Sequence, residues 1–251
     1  MIIRMLGPAI GDAVALSSYL VNGVTLVDCG GAGFCGELDR QAGVRDVFLT
    51  HSHMDHVASL PLLLDNVYGL GAPPTLHATQ ATLDALHRDV FNDGLWPDVF
   101  ALSQVTAPFV HVRPLTDASV DVSGVRVTGV PVDHVVPTTA YILEEPGAAV
   151  AIVTDTAPTE AIWERLSATP SLRAVFLECS FPEELAIVAK VSKHMTPSLF
   201  AAQAARRPAG SKLYAIHLKP QHHSQIVDQL RRFCPDAEIV VPEMDYAIGS
   251  P

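Results

Sequence analysis

The chain has 251 residues, of which 49% are hydrophobic, and its formal net charge is −11 with the histidines neutral. This length allows one large core or two small domains, whereas the acidic balance argues against a large nucleic acid as partner, because such polymers bind to basic stripes. The chain has neither a signal-peptide layout nor an apolar run that could span a bilayer, so we expect a cytoplasmic protein without a membrane partner.

Short segments rich in β-branched residues and bounded by glycine, proline or aspartate predict twelve strands. In chain order they are Ile2–Leu6, Leu16–Val21, Val24–Asp28, Asp46–Thr50, Thr75–Ala78, Phe109–Pro114, Val125–Val130, Ala140–Glu144, Ala149–Thr154, Ala174–Glu178, Leu213–His217 and Glu238–Val241. Helical spacing and helix-start signals predict six helices. They are Val57–Asn66, Thr79–Val90, Pro158–Ala168, Glu184–Val191, Ser198–Arg207 and Ser224–Phe233.

Two of these helix starts carry specific signals. Ser180 and Glu183 have the spacing of a capping box ahead of the helix 184–191. Thr196 stands before Pro197, as a capping threonine stands before a proline at the first helical position.

The order of the elements predicts the fold class. The first half is rich in strands with hairpin-like pairs, and the second half alternates strand and helix, which indicates an α/β (α+β) protein built as a four-layer αββα sandwich. No linker-like or repetitive tract interrupts the chain, so we expect a single domain over residues 1–251. The cysteines fit neither a metal knuckle nor a disulfide framework, so we expect free, buried thiols at Cys29, Cys35, Cys179 and Cys234.

The segment THSHMDH places three histidines and an aspartate directly after a predicted strand. In extended backbone His51 and His53 point to the same side, and Asp55 and His56 follow where the chain turns toward a helix. One loop can therefore supply ligands to two adjacent metal ions, and imidazole with carboxylate suits zinc, iron, manganese or nickel without selecting among them. The alternative is a surface histidine patch or a set of helix caps, which the density of histidines disfavours.

Three more candidate ligands follow the carboxyl ends of predicted strands, where open sheets place their sites. They are His134, Asp155 and His217. Each taken alone could equally be a hydrogen-bonded residue at a sheet edge, but together they complete a ligand set for two metals.

HSHMDH resembles the HxHxDH signature of the metallo-β-lactamase fold, and the three later residues match the remaining ligand positions of that fold in order. Within that superfamily the chain is most similar to the class II 3′,5′-cyclic-nucleotide phosphodiesterases. The segments that carry this narrower match are HSHMDHVASLPLLL, FNDGLWPD at Phe91–Asp98, FLECSFP at Phe176–Pro182 and IHLKP at Ile216–Pro220. Nucleases of the tRNase Z type are more distant relatives with an analogous glutamate and histidine, here Glu178 and His194. Met54 and Pro61 depart from the usual pattern, although neither is a ligand position.

The resemblance implies two divalent metal ions as cofactors, with zinc expected and manganese or iron as alternatives. The first ion would be held by His51, His53 and His134. The second would be held by Asp55, His56 and His217, with Asp155 bridging the two. Asp28 would brace the metal loop by hydrogen bonds.

The activity that this resemblance implies is hydrolysis of 3′,5′-cyclic nucleotides, cAMP or cGMP, to 5′-nucleoside monophosphates by a metal-bridging hydroxide. Asp55, His194 and Glu178 would be the catalytic residues. His194 would contact the phosphate or protonate the leaving oxygen, and Glu178 would orient it and raise its pKa. The alternative for His194 is that it merely precedes the cap of the next helix.

Four residues are candidates for binding substrate. Lys219 lies two residues after a candidate ligand and could touch phosphate, or be a solvated lysine. Asn92 and Asp93 could read a base edge and Trp96 could stack on a base, or this segment could be a structural loop packed by Trp96. The remaining histidines are expected at the surface or in satisfied hydrogen bonds; they are His77, His87, His111, His222 and His223.

Other functions of the same fold stay open. A tRNase Z-like ribonuclease shares the site but should need a basic docking arm. A thioester or lactone hydrolase explains the metals but not Glu178, His194 or the FNDGLWPD segment, and a non-catalytic scaffold should have lost ligands. The expected partner is a small-molecule cyclic nucleotide as substrate. Relatives often form homodimers, and the sequence leaves a homodimer open for this chain.

Overall fold

The computed structural model describes residues 1–10, 13–36 and 38–249. The strands are β1 (Ile2–Met5), β2 (Ala9–Ile10), β3 (Ala13–Val14), β4 (Tyr19–Val21), β5 (Thr25–Val27), β6 (Asp46–Phe48), β7 (Thr75–Ala78), β8 (His111–Pro114), β9 (Val120–Val122), β10 (Val125–Val132), β11 (Thr138–Glu145), β12 (Ala148–Val153), β13 (Leu172–Glu178), β14 (Lys212–Ile216), β15 (Glu238–Ile239) and β16 (Asp245–Ala247). The α-helices are α1 (Leu38–Gly43), α2 (Met54–Val57), α3 (Leu60–Val67), α4 (Gln80–Asp89), α5 (Val99–Val105), α6 (Ala161–Ser167), α7 (Ala186–Ser192), α8 (Pro197–Ala204) and α9 (His223–Phe233). Short 3₁₀ turns lie at Ala32–Phe34, Glu183–Leu185 and Pro220–His222.

Two seven-stranded sheets form the centre of the molecule. One has the spatial order β16-β1-β4-β5-β6-β7-β8 and the other β15-β14-β13-β12-β11-β10-β9, while β2 and β3 pair separately. Helices α3 and α4 cover the first sheet with buried leucines, and α6, α8 and α9 cover the second. The predicted αββα sandwich is therefore confirmed.

The two sheets pack face to face through aromatic side chains. Phe48 of the first sheet meets Tyr141 of the second edge to face, with ring centroids 5.5 Å apart, and both rings are fully buried. The Tyr141 hydroxyl donates a 2.6 Å hydrogen bond to the carbonyl oxygen of Leu49. Burying an aromatic ring of this kind stabilises the fold by about 1.5–3 kcal/mol, and the hydrogen bond fixes the sheets beside the segment that carries the histidine cluster.

Strand direction brings the candidate ligands together. Strands β5 to β8 are parallel, as are β12 to β15. Strand β10 is antiparallel to β11, which is antiparallel to β12, so β10 and β12 run the same way. The carboxyl ends of β10, β12, β13 and β14 consequently lie at one edge of their sheet, where side chains from separate parts of the chain can meet.

All twelve predicted strands are present, Thr75–Ala78 with the predicted bounds and the others with shifted ends, but one predicted helix is divided. The segment 57–66 is split between α2 and α3, with Ser59 between them. Pro61 has no N–H to donate to the carbonyl of Val57, so a continuous helix cannot pass this point. The break leaves the Ser59 hydroxyl free to donate to the carbonyl of Cys29 at 2.8 Å, which ties this helix pair to the loop after β5.

The predicted capping box at Ser180 and Glu183 is wrong. The Ser180 hydroxyl donates to Glu178 Oε2 at 2.8 Å and caps no helix. Glu183 instead accepts hydrogen bonds from the backbone N–H of Ser198 at 2.7 Å and from its hydroxyl at 2.9 Å. A carboxylate from elsewhere in the chain thus caps α8, which begins after Thr196 with Pro197 as predicted, although the Thr196 side chain makes no cap bond.

The cysteines are free, as expected, and Cys29, Cys179 and Cys234 are buried while Cys35 is half-buried. Burial raises the pKa of Cys29 to about 12, so this thiol stays protonated near neutral pH. Among the described residues, no helix combines the length and apolarity that crossing a bilayer requires.

Candidate metal centre

The structure brings the seven predicted ligands to the ends of strands or to the segment after β6, where Asp55 and His56 lie in α2. Asp155 follows β12, His217 follows β14 and His134 follows β10. Asp155 and His217 have positive φ angles of 32° and 61°, as does Asp28, with 60°. Aspartate and histidine enter this left-handed region more readily than most non-glycine residues, so the strained backbone at these strand ends aims side chains that the site uses.

The first group of ligand atoms comes from His51, His53, His134 and Asp155, all within 4.8 Å of one another. His134 Nε2 lies 3.3 Å from His53 Nδ1. His51 Nε2 lies 3.5 Å from Asp155 Oδ2. These atoms surround one point, as the ligands of a single cation do.

The second group comes from Asp55, His56 and His217, again with atoms within 4.8 Å. The Nε2 atoms of His56 and His217 approach to 3.3 Å. Asp155 Oδ1 lies 3.3 Å from each of these two nitrogens, whereas its Oδ2 faces the first group. Asp155 therefore stands between the groups, in the position of a bridging carboxylate.

Unsatisfied atoms test whether cations fit these groups. His51 Nε2 and Asp155 Oδ1 are buried and have no hydrogen-bond partner among the described residues. Buried polar atoms are nearly always paired, because an unpaired one costs about 1–3 kcal/mol. Imidazole and carboxylate are ligands of zinc, iron and manganese, so divalent cations at the two groups would satisfy these atoms.

The outer hydrogen bonds set which ring nitrogen faces inward. His134 Nδ1 donates to the carbonyl of Lys193 at 3.1 Å, and His56 Nδ1 donates to Asp28 Oδ2 at 2.7 Å. His51 Nδ1 lies 2.9 Å from the Thr50 hydroxyl, which itself donates to Asp28. With the proton on Nδ1, each Nε2 presents a lone pair to a metal. The predicted bracing role of Asp28 is confirmed by these contacts.

The electrostatics of the cluster agree with this arrangement. Burial lowers the pKa of His51, His53 and His134, so these imidazoles are neutral at pH 7. Burial alone would raise the pKa of Asp155, but the imidazoles of His217 and His56 hold it well below its usual range. Burial alone would lower the pKa of His56 too, but the carboxylates of Asp155 and Asp28 raise it well above its ordinary value. Because a ligand imidazole must be deprotonated, a cation at the second group would displace this proton.

Glu178 and His194 form the predicted pair. His194 Nδ1 lies 3.0 Å from Glu178 Oε1, and Nε2 lies 4.0 Å from Asp155 Oδ2. Burial alone would lower the pKa of His194, but the charge of Glu178 and the hydrogen bond to it raise that pKa above its ordinary value. His194 also shares a possible ligand group with Asp155 and His217, with atoms within 4.8 Å.

Ser180 is the site residue that the sequence reasoning missed. Its buried hydroxyl lies 2.9 Å from His217 Nδ1 and 3.2 Å from His194 Nδ1, and it donates to Glu178 Oε2. Because its proton goes to the carboxylate, its oxygen accepts from His217. Glu178 thereby holds His194 directly and His217 through Ser180.

We expect Ser180→Ala to weaken the metal bound by the second group about 10- to 100-fold, as loss of such outer hydrogen bonds does. Removing the hydroxyl leaves His217 free to rotate and to change its tautomer. Calorimetric titration of metal into chelator-treated protein would measure the affinity of each group. Ser180→Thr should restore binding, and Ser192→Ala, which removes a hydroxyl bound only within α7, should change nothing. Wild-type affinity in Ser180→Ala would contradict this role.

The substrate-binding candidates have mixed outcomes. Lys219 reaches the site, where its Nζ donates to Asp55 Oδ2 at 3.2 Å. Asn92 Oδ1 accepts from the N–H groups of Gly94 and Leu95, and Asp93 Oδ1 accepts from the N–H of Asp98. The polar groups of this segment thus stabilise its own turn, which favours the structural alternative for Asn92 and Asp93.

The other histidines lie outside the centre. His77 is buried, stacks on Phe48 at 4.2 Å and bonds to Asp46 at 2.9 Å. His87 bonds to Asp98 at 3.0 Å. His111 is exposed, while His222 and His223 are half-exposed. These histidines lie at the surface or in hydrogen bonds as expected, except that the buried Nδ1 of His77 has no hydrogen-bond partner among the described residues.

Two kinds of known protein are similar to this chain in sequence. Ribonuclease Z of Mycolicibacterium paratuberculosis (strain ATCC BAA-968 / K-10) is 34% identical over 164 residues, which are 56% of this chain and 55% of the relative. The 3′,5′-cyclic-nucleotide phosphodiesterase 1 of Saccharomyces cerevisiae is 34% identical over 61 residues, 24% of this chain and 16% of the relative. The chain spans about half the length of the ribonuclease that it matches. Both kinds of relative that the motifs indicated are therefore present.

A solved structure shows the same fold, and a family model shows the family. The metallo-beta-lactamase fold protein YhfI of Bacillus subtilis superposes with a TM-score of 0.73 at 17% identity, covering 98% of each chain. The family model for the beta-lactamase superfamily domain matches residues 26–218, which include all seven candidate ligands. The chain therefore belongs to the beta-lactamase superfamily and has the metallo-β-lactamase fold.

Proposed function

We propose that the chain is a metal-dependent hydrolase and that the bond it cleaves is a phosphodiester. The observation that carries this proposal is the position of His194, whose Nε2 lies 4.0 Å from the carboxylate shared by the two ligand groups. Cleavage of a phosphodiester releases an alkoxide that needs a proton. A positioned imidazole that supplies this proton raises the reaction rate by about 10²- to 10⁴-fold.

Each part of the site has a role in this proposal. His51, His53 and His134 would hold one cation, and Asp55, His56 and His217 would hold the other, with Asp155 between the two groups. When bound, the cations supply a nucleophile at neutral pH and neutralise charge on the phosphate.

The Glu178–His194 pair handles the proton. Glu178 accepts from Nδ1 of His194, also accepts the backbone N–H of Thr156 at 3.1 Å, and is fully buried. It therefore holds the ring in one orientation, with Nε2 directed to the leaving oxygen. Lys219 beside Asp55 adds positive charge at the rim of the site.

Separate observations support two candidate substrates. The 164-residue match to ribonuclease Z favours an RNA phosphodiester. The net charge of −11 opposes a long polyanion, and the 61-residue match to the yeast enzyme favours a 3′,5′-cyclic nucleotide. The longer match gives RNA the stronger support from the relatives, and the same catalytic groups serve either substrate.

We expect protein loaded with zinc or manganese to hydrolyse at least one of these diesters and to stop when a chelator is added. A tRNA precursor, cyclic AMP, cyclic GMP and a 2′,3′-cyclic nucleotide would be offered side by side, with products resolved by chromatography. Release of a 3′ trailer identifies RNA, 5′-AMP or 5′-GMP identifies a 3′,5′-cyclic nucleotide, and a 2′- or 3′-monophosphate identifies the 2′,3′-cyclic nucleotide. An Asp155→Ala preparation controls for contaminating nucleases, and hydrolysis of thioesters or lactones with every diester intact would contradict the proposal.

A further inference from the structure

An apolar cavity of about 290 Å³ lies beside the metal centre. Its lining includes Met54, Val57, Pro61, Leu62, Leu95 and Trp96 and contains no charged side chain. Met54 is 59% exposed and Leu95 is 64% exposed. Large apolar side chains left open to water in a concave site are typical of a ligand-binding surface.

One wall of this cavity is the helix that carries metal ligands. Met54 stands between the candidate ligands His53 and Asp55, and Val57 directly follows His56. Successive residues of a helix point in different directions, so α2 turns its ligands to the metal centre and Met54 and Val57 to the cavity. A molecule whose phosphate lies at the cations therefore has its adjoining group next to this cavity.

The opposite wall is the segment 91–98, which has no role in the proposed hydrolysis itself. The side chains of Asn92 and Asp93 accept backbone N–H groups of the same turn, and Phe91 pairs with Trp96 in an isolated bridge. The segment is thus fixed by its own hydrogen bonds. It places Leu95 and the half-buried Trp96 against the cavity.

We propose that this cavity binds the nucleobase next to the phosphate that the metal centre receives. The inference rests on the proposed function and holds for both RNA and a cyclic nucleotide. An indole, a thioether and aliphatic side chains suit a flat aromatic ring, because stacking and sulfur–aromatic contacts need no particular hydrogen-bond pattern. The base is held by apolar contact rather than by Asn92 and Asp93.

The test compares two ligands that differ only in the base, AMP and ribose 5-phosphate, by calorimetric binding to metal-loaded protein. Wild type should bind AMP more tightly than ribose 5-phosphate. Trp96→Ala should weaken AMP about 5- to 150-fold, the range for losing one stacked base, and leave the affinity for ribose 5-phosphate unchanged. Leu95→Ser, at an exposed position, should act in the same direction without risk to the core.

A matched control is Val105→Ser, since Val105 is 79% exposed and lies outside the cavity lining; it should bind both ligands as wild type does. Equal affinity of wild type for AMP and ribose 5-phosphate, or unchanged AMP binding in both variants, would overturn the inference. Failure of wild type to bind either phosphate would instead count against the proposed function. Sedimentation velocity would expose the other possible occupant, because a variant that only changes oligomeric state marks the cavity as a contact between copies.

Discussion

Replacing His194 by alanine is expected to lower kcat by about 10²- to 10⁴-fold, the usual contribution of a positioned proton donor. Glu178 holds Nδ1 of this ring at 3.0 Å and leaves Nε2 facing the centre. Metal content, measured by elemental analysis of the purified variant, should stay at the wild-type value. Single-turnover kinetics would separate the chemical step from product release.

The metal measurement decides between two roles for this histidine. His194 lies in one possible ligand group with Asp155 and His217, so a variant that loses a cation would identify it as a ligand rather than as a proton donor. His87→Ala is the matched control, because the His87 side chain is 59% exposed and pairs with Asp98 away from the centre. An unchanged kcat in His194→Ala would contradict the proton-donor role of His194, on which the proposed function depends.

Replacing Asp155 by alanine is expected to remove both cations and to reduce turnover to the background rate. One oxygen of this carboxylate faces each ligand group, and no other carboxylate of the described residues stands between them. Without it, the first group would hold only imidazoles, and Asp55 alone would offset the repulsion between the two cations. Elemental analysis should find the metal content falling from two equivalents toward none.

Thermal unfolding gives a second measurement of the same change. Cation binding to the folded chain raises its Tm by mass action, so added zinc or manganese should raise the Tm of wild type and leave that of Asp155→Ala almost unchanged. Asp121→Asn serves as control, since the Asp121 side chain is 71% exposed and pairs with Arg126 on the neighbouring strand β10, outside both ligand groups. A variant that retains two equivalents of metal would show that Asp155 is not the bridge.

The ligand positions could be predicted because their signals are local. Side-chain alternation places His51 and His53 on one side of an extended segment, and strand ends can be read from apolar runs followed by a turn. His134, Asp155 and His217 then meet at one edge of the second sheet because the strands that precede them run in the same direction. Short pairings far apart in sequence, such as β16 with β1, carry no local signal and were not predicted, nor were the short helices α1 and α5.

Ser180 shows where local pattern fails. Its spacing to Glu183 indicates a capping box, but its hydroxyl gains more from the buried partners Glu178 and His217 than from an exposed helix end. Asn92 and Asp93 present the converse case, because a polar side chain in a turn can face a ligand or its own backbone with equal ease. Only the tertiary arrangement decides between these outcomes.

Asp28, Asp155 and His217 have a left-handed backbone conformation that lowers the stability of the fold but orients side chains of the site. Each position costs the folded chain about 1–2 kcal/mol relative to a residue without a Cβ. Glycine at these three positions would therefore raise the free energy of unfolding, but it would remove the side chains of the candidate metal centre. With aspartate and histidine at these points, the chain has a lower melting point and gains the side chains that the candidate metal centre uses.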